Sequence, residues 1–268
     1  MAERGGSRLT VPFVLVQLSD LHVGAHWGGH DPVAALAAAV ESVQALRPRP
    51  DAVLVSGDLA ENAADAEYEQ VRELLAPLRV PLYVLPGNHD DRAALRRHFG
   101  LEGAGGEPVQ YAVDLGPLRL VVVDTTCPGV DPGAVDDERL SWLDAELAAV
   151  PDVPTIIAMH HPPLVTGIPA LDATGLVAED RRALAEVLAR HRQVRRLVGG
   201  HVHRPVTGDL AGRAVLTAPS TYMQARLDFC EEGLRLVPEP AGFAVHALLD
   251  GELTSHVHPV GRARSAPG

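Results

Sequence analysis

The chain has 268 residues, 46% of them apolar and 22% charged, which is ample for a buried core and ordinary for a globular protein. Its net charge of -12 argues against gripping long nucleic acid by the general surface, so no nucleic-acid polymer is expected as a partner. All 23 basic residues are arginine, which rules out lysine chemistry, the phosphate-binding P-loop included. Thirteen histidines against 4 Phe, 4 Tyr and 2 Trp tilt the chain towards metal-ligand chemistry. Two cysteines, Cys127 and Cys230, lie too far apart for a zinc or redox pair and suit a reducing compartment. The N-terminus, Met1 to Gly6, carries no apolar signal-peptide core, and no apolar run is long enough for a membrane span. A cytoplasmic protein without a membrane segment is expected.

Residues 1–10 read as a flexible N-terminus. Pro12–Leu18 is an apolar strand ending in Ser19-Asp20-Leu21-His22, followed by a glycine-rich loop with His26, Trp27 and His30. Asp31-Pro32 is a helix start, with the acid as N-cap and proline at the first helical position. Val33, Leu36, Ala37, Val40 and Val43 recur at helical spacing up to about Leu46. A second strand, Asp51–Ser56, ends in Gly57-Asp58. The polar loop Glu61-Asn62 leads to a helix with Tyr68, Val71, Leu74, Leu75 and Leu78 on one face. A third strand, Leu82–Leu85, ends in Pro86-Gly87-Asn88-His89-Asp90, and a helix opens at Asp91. This β-α-β-α-β order with continuously apolar strands predicts a parallel sheet covered on both faces.

Two antiparallel strands, Gln110–Asp114 and Leu118–Asp124, come next. Asp136 starts a helix with Leu140, Leu143 and Leu147 inward. The strand Thr155–Met159 ends in His160-His161-Pro162-Pro163, and residues 164–178 form a loop on the substrate side. A helix over 179–190 precedes the last parallel strand, Val194–Val198, which ends in Gly199-Gly200-His201-Val202-His203. The remainder reads as antiparallel strands at Val206–Leu210, Ala214–Thr217, Ala244–Leu249 and Glu252–His258, the last two joined by the hairpin signal Asp250-Gly251. One domain over 11–258 is expected, built of two sheets packed face to face, with a flexible tail at 259–268. The C-terminal β segment is the expected surface for a homodimer.

The strand ends thus carry Asp20, His22, Asp58, Asn88, His89, His160, His201 and His203. These are oxygen and imidazole donors with no thiolate, a set that suits Mn, Fe, Zn or Co. Seven of them exceed one ion's needs, and two ions sharing Asp58 would use them all.

The ordered motifs Asp20-x-His22, Gly57-Asp58, Gly87-Asn88-His89-Asp90, His160-x-Pro162 and Gly200-His201-x-His203 resemble those of the calcineurin-like metallophosphoesterase superfamily. Within it, the Met159–Pro163 run is similar to class III cyclic nucleotide phosphodiesterases and their glycerophosphodiesterase relatives. The resemblance implies a four-layer α/β/β/α sandwich with two mixed β-sheets. It assigns Asp20, His22 and His203 to one metal, Asn88, His160 and His201 to a second, and Asp58 to both. A hydroxide between two cations would attack phosphorus in line, with His89 stabilising the phosphoryl oxygens or protonating the leaving alkoxide. Asp90 or Glu61 would orient that ring; the sequence does not choose. His161, Asn62 and Tyr222 are the expected substrate contacts. Cys127 lines the site or fills a small buried space, while His26 and His30 are expected to be solvated. The expected activity is hydrolysis of small phosphodiesters, 3',5'-cyclic nucleotides first. Glycerophosphodiesterase or broad phosphodiesterase/phosphomonoesterase activity is the alternative, a nuclease a lesser one, and a metal-free interaction module the remote one.

Overall fold

The computed structural model describes residues 11–231 and 233–261. The expected flexible N-terminus, and the tail beyond 261, lie outside the described residues.

In chain order the elements are β1 (Phe13–Leu18), α1 (Pro32–Gln44), β2 (Ala52–Ser56), α2 (Asp65–Leu75), β3 (Leu82–Leu85) and α3 (Arg92–Phe99). Then come β4 (Tyr111–Asp114), β5 (Arg119–Val122), α4 (Asp137–Ala149), β6 (Thr155–Ala158), α5 (Pro169–Asp172), α6 (Ala178–Arg190) and β7 (Val194–Gly199). The chain closes with β8 (Thr207–Leu210), β9 (Arg213–Thr217), β10 (Gln224–Ala225), β11 (Leu236–Val237), β12 (Gly242–Leu249) and β13 (Glu252–Pro259).

The helix starts follow their caps. Asp31 accepts from Val33 N with Pro32 at the first helical position, Asp91 accepts from Ala94 N, and Asp136 accepts from Arg139 N. Each occupies an otherwise unpaired amide of the first turn.

A 5-stranded sheet runs β13-β12-β1-β2-β3 and a 6-stranded sheet runs β4-β5-β6-β7-β9-β8. Strand alternation decides what each face meets. Val14, Val16 and Leu18 of β1 and Val53 and Val55 of β2 pack outward on α1, α2 and α3. Leu15 and Leu54 point the other way, onto Leu120, Val122, Ile156, Ala158 and Val198 of the second sheet. Val121, Ile157 and Leu197 then face α4 and α6 through Leu143, Leu147, Leu184 and Leu188. The result is helix, sheet, sheet, helix: the expected four-layer sandwich.

The second half differs in detail. The sequence places only antiparallel strands after β7, yet β9 pairs with β7 in parallel. β8 supplies the return: it turns back as a hairpin with β9 and takes the sheet edge, which lets β9 sit beside β7. The loop over 164–178 contains the short α5, and the stretch after 218 contributes a two-stranded ribbon of β10 and β11. Both are too short for a periodic signal. Pro259 still pairs with Gly242, so strand pairing runs past the expected boundary at 258.

Candidate metal centre

Parallel strands β1, β2 and β3 of one sheet and β6 and β7 of the other end on the same side, and the segments leaving them carry the donors. Asp20, His22, Asp58, His201 and His203 all have positive φ, between 46° and 64°. They are five of the nine non-glycine residues in that conformation among the described residues. Left-handed backbone costs these side chains about 1–3 kcal/mol each and persists where the surroundings enforce it, typically at functional sites. It also removes the strand alternation, so that Asp20 and His22, like His201 and His203, turn into one cluster. Glycine makes the close approach: a Cβ on Gly87 would overlap Asp58, and one on Gly200 would overlap Ser19 Oγ and Ser56 O.

Asp20, His22, Asp58 and His203 bring one donor atom each to within 4.8 Å of one another. Asp58 Oδ2 lies 3.4 Å from His22 Nε2 and 3.4 Å from His160 Nε2, so the carboxylate stands between two groups. On the second side, Asn88 Oδ1 is 3.1 Å from His160 Nε2 and 3.2 Å from His201 Nδ1. The seven sequence-derived donors therefore converge.

The hydrogen bonds around them fit cations. His22 Nδ1 donates to Glu61 Oε2 at 2.7 Å, His203 Nδ1 to Met223 O at 2.8 Å, and His160 Nδ1 to Ser56 O at 2.9 Å. Acceptor partners on Nδ1 place a proton there; in His22 and His203 this leaves Nε2 as a lone pair, whereas His160, raised against its burial to about 9 by the Asp58 carboxylate, carries a second proton in the absence of a cation. His22 and His203 then face each other nitrogen to nitrogen at 3.0 Å. Beside them Asp20 Oδ2 is fully buried with no hydrogen-bond partner among the described residues. Two lone pairs facing each other beside a buried carboxylate, whose Oδ1 lies 3.6 Å from His203 Nε2, are unfavourable unless a positive charge lies between them.

Charge is set by neighbours. Burial opposes ionisation of Asp58, but His160, His22 and His89 outweigh it and hold the carboxyl well below its usual range. Burial also opposes protonation of His89, yet the Asp58 and Glu61 carboxylates raise it above the ordinary imidazole value. Burial and the neighbouring His160 push His161 down to about 3. His161 is thus a neutral, buried side chain, with Nε2 donating to Asp131 O at 2.9 Å and Nδ1 accepting from Thr125 Oγ1. His89, with a third of its side chain exposed, is the group able to deliver a proton.

The choice between Asp90 and Glu61 falls to Glu61. His89 Nδ1 lies 3.1 Å from Glu61 O and 3.5 Å from Glu61 Oε2. Asp90 is committed elsewhere: it accepts from the amides of Leu59, Ala60 and Gly87 and from the Tyr68 hydroxyl, tying the β2 and β3 loops together.

A cavity of about 250 Å³ opens over these donors, lined by His22, Asp58, Asn88, His89, His201 and His203 and by Trp27, Asp131, Ala170, Leu171, Thr174, Leu234 and Leu236. Three expected substrate contacts are not on that lining. Asn62 is exposed and its amide donates to Glu67 Oε1, where it helps fasten the start of α2. The Tyr222 hydroxyl accepts from Trp27 N and bonds the carbonyls of Trp27 and His30. His161 is buried beneath the donors. Cys127 is half-buried in a turn with Val130 and is not on the lining, whereas His26 and His30 are exposed. Sequence reading missed Thr174, whose hydroxyl meets His201 Nε2 at 2.9 Å, and Leu171, Leu234 and Leu236 of the cavity wall. No local pattern marks them, because they come from the short segments that only the tertiary fold brings over the site.

An α/β/β/α sandwich whose facing sheets deliver two adjoining nitrogen–oxygen cages places the protein among the metal-dependent phosphoester hydrolases. The chain belongs to the calcineurin-like phosphoesterase family, whose model matches residues 13–205. A probable glycerophosphodiester phosphodiesterase, GpdQ, of Arcobacter nitrofigilis is 32% identical over 257 residues, 93% of this chain and 94% of that protein. The 3',5'-cyclic adenosine monophosphate phosphodiesterase CpdA of Pseudomonas aeruginosa is 31% identical over 253 residues, 93% of this chain and 87% of that protein. A dimetal phosphatase from Danio rerio shares the fold, with a TM-score of 0.71 at 18% identity over 94% of this chain and 98% of that one.

Proposed function

We propose that this protein is a two-metal phosphodiesterase acting on small diesters, 3',5'-cyclic nucleotides such as cyclic AMP foremost. The observation that carries the reading is Asp58 standing 3.4 Å from an imidazole of each cage, which is the arrangement a shared carboxylate requires. Asp20, His22 and His203 would hold one cation and Asn88, His160 and His201 the other, with Asp58 serving both; Mn, Fe, Zn and Co all suit these donors. Bound there, the cations supply charge for the phosphoryl oxygens and acidify the attacking water.

The remaining work belongs to side chains of this chain. His89 donates a hydrogen bond to a phosphoryl oxygen and passes its proton to the leaving alkoxide, which needs a donor within hydrogen-bond reach. Its Nδ1 is held by Glu61, leaving Nε2 as the atom that transfers. His89 N donates to Asp58 Oδ1 at 3.0 Å, which fixes the shared carboxylate. The cavity, at about 250 Å³, falls just below the usual range of ligand sites and suits a small diester better than a polymer. Asp131 and Glu61 add negative charge beside it, which disfavours polyanions further.

Glycerophosphodiesters are the second substrate class, favoured by the likeness to the Arcobacter protein over nearly its whole length. The test is hydrolysis of cyclic AMP, a glycerophosphodiester and a chromogenic aryl diester with Mn²⁺, before and after chelation. Turnover of a diester that needs the cation is expected; turnover indifferent to chelation would sink the mechanism.

A further inference from the structure

We infer that Trp27 is the specificity-determining residue of the cavity, a stacking platform for the nucleobase of a cyclic nucleotide. The inference rests on the diesterase reading above and names what that reading leaves open: which leaving-group chemistry the site prefers.

Metal-binding side chains recognise phosphate and are indifferent to what the phosphate carries. Discrimination has to come from the rest of the wall. Trp27 is the one indole on that wall, half-buried, with its ring 4.5 Å from the His22 ring and 6.2 Å from the His203 ring between centroids. A phosphate seated at these donors therefore lies beside an aromatic surface of the same cavity.

The indole is braced rather than free. Tyr222 stacks on it at 5.5 Å and 24°. The Tyr222 hydroxyl bonds the backbone of Trp27 itself and His30 O, pinning the loop that carries the indole. Gly28 and Gly29, both at positive φ, give the tight 3-10 turn that presents Trp27 to the cavity. Surface loops do not need a second aromatic and several hydrogen bonds to hold a tryptophan; a recognition platform does, because a fixed ring loses less entropy on binding.

The wall continues as an apolar surface. Leu236 packs against the cluster that also takes Trp27 and against the one that holds Leu171, and Trp27, Leu171, Leu234 and Leu236 all line the cavity. A planar base meets indole and leucine there. A glycerol or choline-type group would leave that surface wet. Every base has a π-face, so the platform selects for a ring rather than for adenine over guanine.

The experiment uses the full chain with Mn²⁺ and reads two quantities. The first is the ratio of kcat/KM for cyclic AMP over that for glycerophosphocholine. It is expected to fall roughly tenfold in Trp27→Ala, mainly through KM for cyclic AMP, and to be mostly restored in Trp27→Phe. An equal loss on both diesters would show that the indole merely supports His22, and would overturn the inference. The second is fluorescence in a Trp142→Phe background, which leaves Trp27 as the remaining tryptophan of the 2 in the chain. AMP is expected to quench it and glycerol 3-phosphate not to, with binding of both followed by calorimetry. Bound AMP without quenching would overturn the inference independently of turnover. If no diester is hydrolysed, the diesterase reading fails, while quenching by AMP still decides the platform.

Discussion

Asp58 stands 3.4 Å from an imidazole of each donor group. Asp58→Ala is expected to remove turnover of every diester while the circular dichroism spectrum is retained, because a small side chain in a loop leaves the sheets intact. His89→Gln should lower kcat by about 10²- to 10³-fold and change KM for cyclic AMP much less, since the amide can still donate a hydrogen bond to a phosphoryl oxygen but has no proton to pass to the leaving alkoxide. Glu61 acts through its neighbours: its carboxylate holds His22 Nδ1 at 2.7 Å, and its main-chain carbonyl holds His89 Nδ1 at 3.1 Å. Glu61→Gln should weaken Mn²⁺ affinity by about 10- to 100-fold, measured by metal titration of the stripped protein. His246 is not among the donors; it is fully buried, with Nδ1 on Ser255 Oγ and Nε2 donating to Gln17 Oε1. Burial first, then Arg196 and His256, lower it to about 3. Its unfolded value is near 6.5, so below that pH the unfolded chain takes up a proton that the folded one refuses. Stability should therefore fall as pH drops from about 6.5 towards 3, by at most about 1.4 kcal/mol per pH unit from this residue. Urea midpoints at pH 7 and pH 5 should drop less in His246→Gln than in the natural chain; an equal drop would assign the acid limb to other groups.

Elements hold the donors by meeting back to back. The layer between the sheets is where this can be tested without touching a ligand. Leu120 of β5 is fully buried there against the first sheet. Leu120→Ala is expected to cost about 2–5 kcal/mol in urea unfolding, the range for a cavity in a core that cannot collapse. That layer is not purely apolar. Gln17 of β1 bonds Ser56 Oγ and Gly199 O, joining β1 and β2 to the end of β7 just below the cages. Polar groups satisfied across the two sheets fix their register where alkyl packing alone would tolerate a slip. On the outer side, Tyr68 of α2 bonds Asp90 and receives Asp91 N, so one helix side chain fastens the loop that carries Asn88 and His89.

At the scale of the whole molecule, the facing His22 and His203 nitrogens and the unpartnered Asp20 oxygen are left unsatisfied without a cation, and the backbone that presents the donors is in part left-handed. Removing metal should therefore lower the melting temperature as well as abolish activity, and restoring Mn²⁺ should recover both. A stripped protein with an unchanged melting temperature would mean that the cages are relaxed without charge inside them. Among the described residues no helix is long and apolar enough to cross a membrane. The excess of acidic residues gives a field that repels polyanions, so the small diesters that enter must be drawn by the site itself.

The donors were legible in the sequence because each closes a strand that announces itself: a short apolar run, then Asp-x-His, Gly-Asp, Gly-Asn-His or His-x-His. Layer order was legible for a similar reason, since β-α-β alternation leaves a covered parallel sheet few other ways to close. Other features depended on groups distant in sequence. Glu61 and Asp90 are both carboxylates near His89, and only the path of the β2 loop decides that Glu61 reaches the ring, chiefly by its main-chain carbonyl. Asn62, Tyr222 and His161 have the right chemistry for substrate, yet each is taken by a nearer partner. The cavity wall joins Trp27 to Leu171, Leu234 and Leu236 across some two hundred residues of chain. Sequence determined the chemistry offered at each strand end, because local pattern controls where strands stop. Tertiary structure decided which groups face the cavity, because that depends on how loops of no local periodicity pack over the sheets.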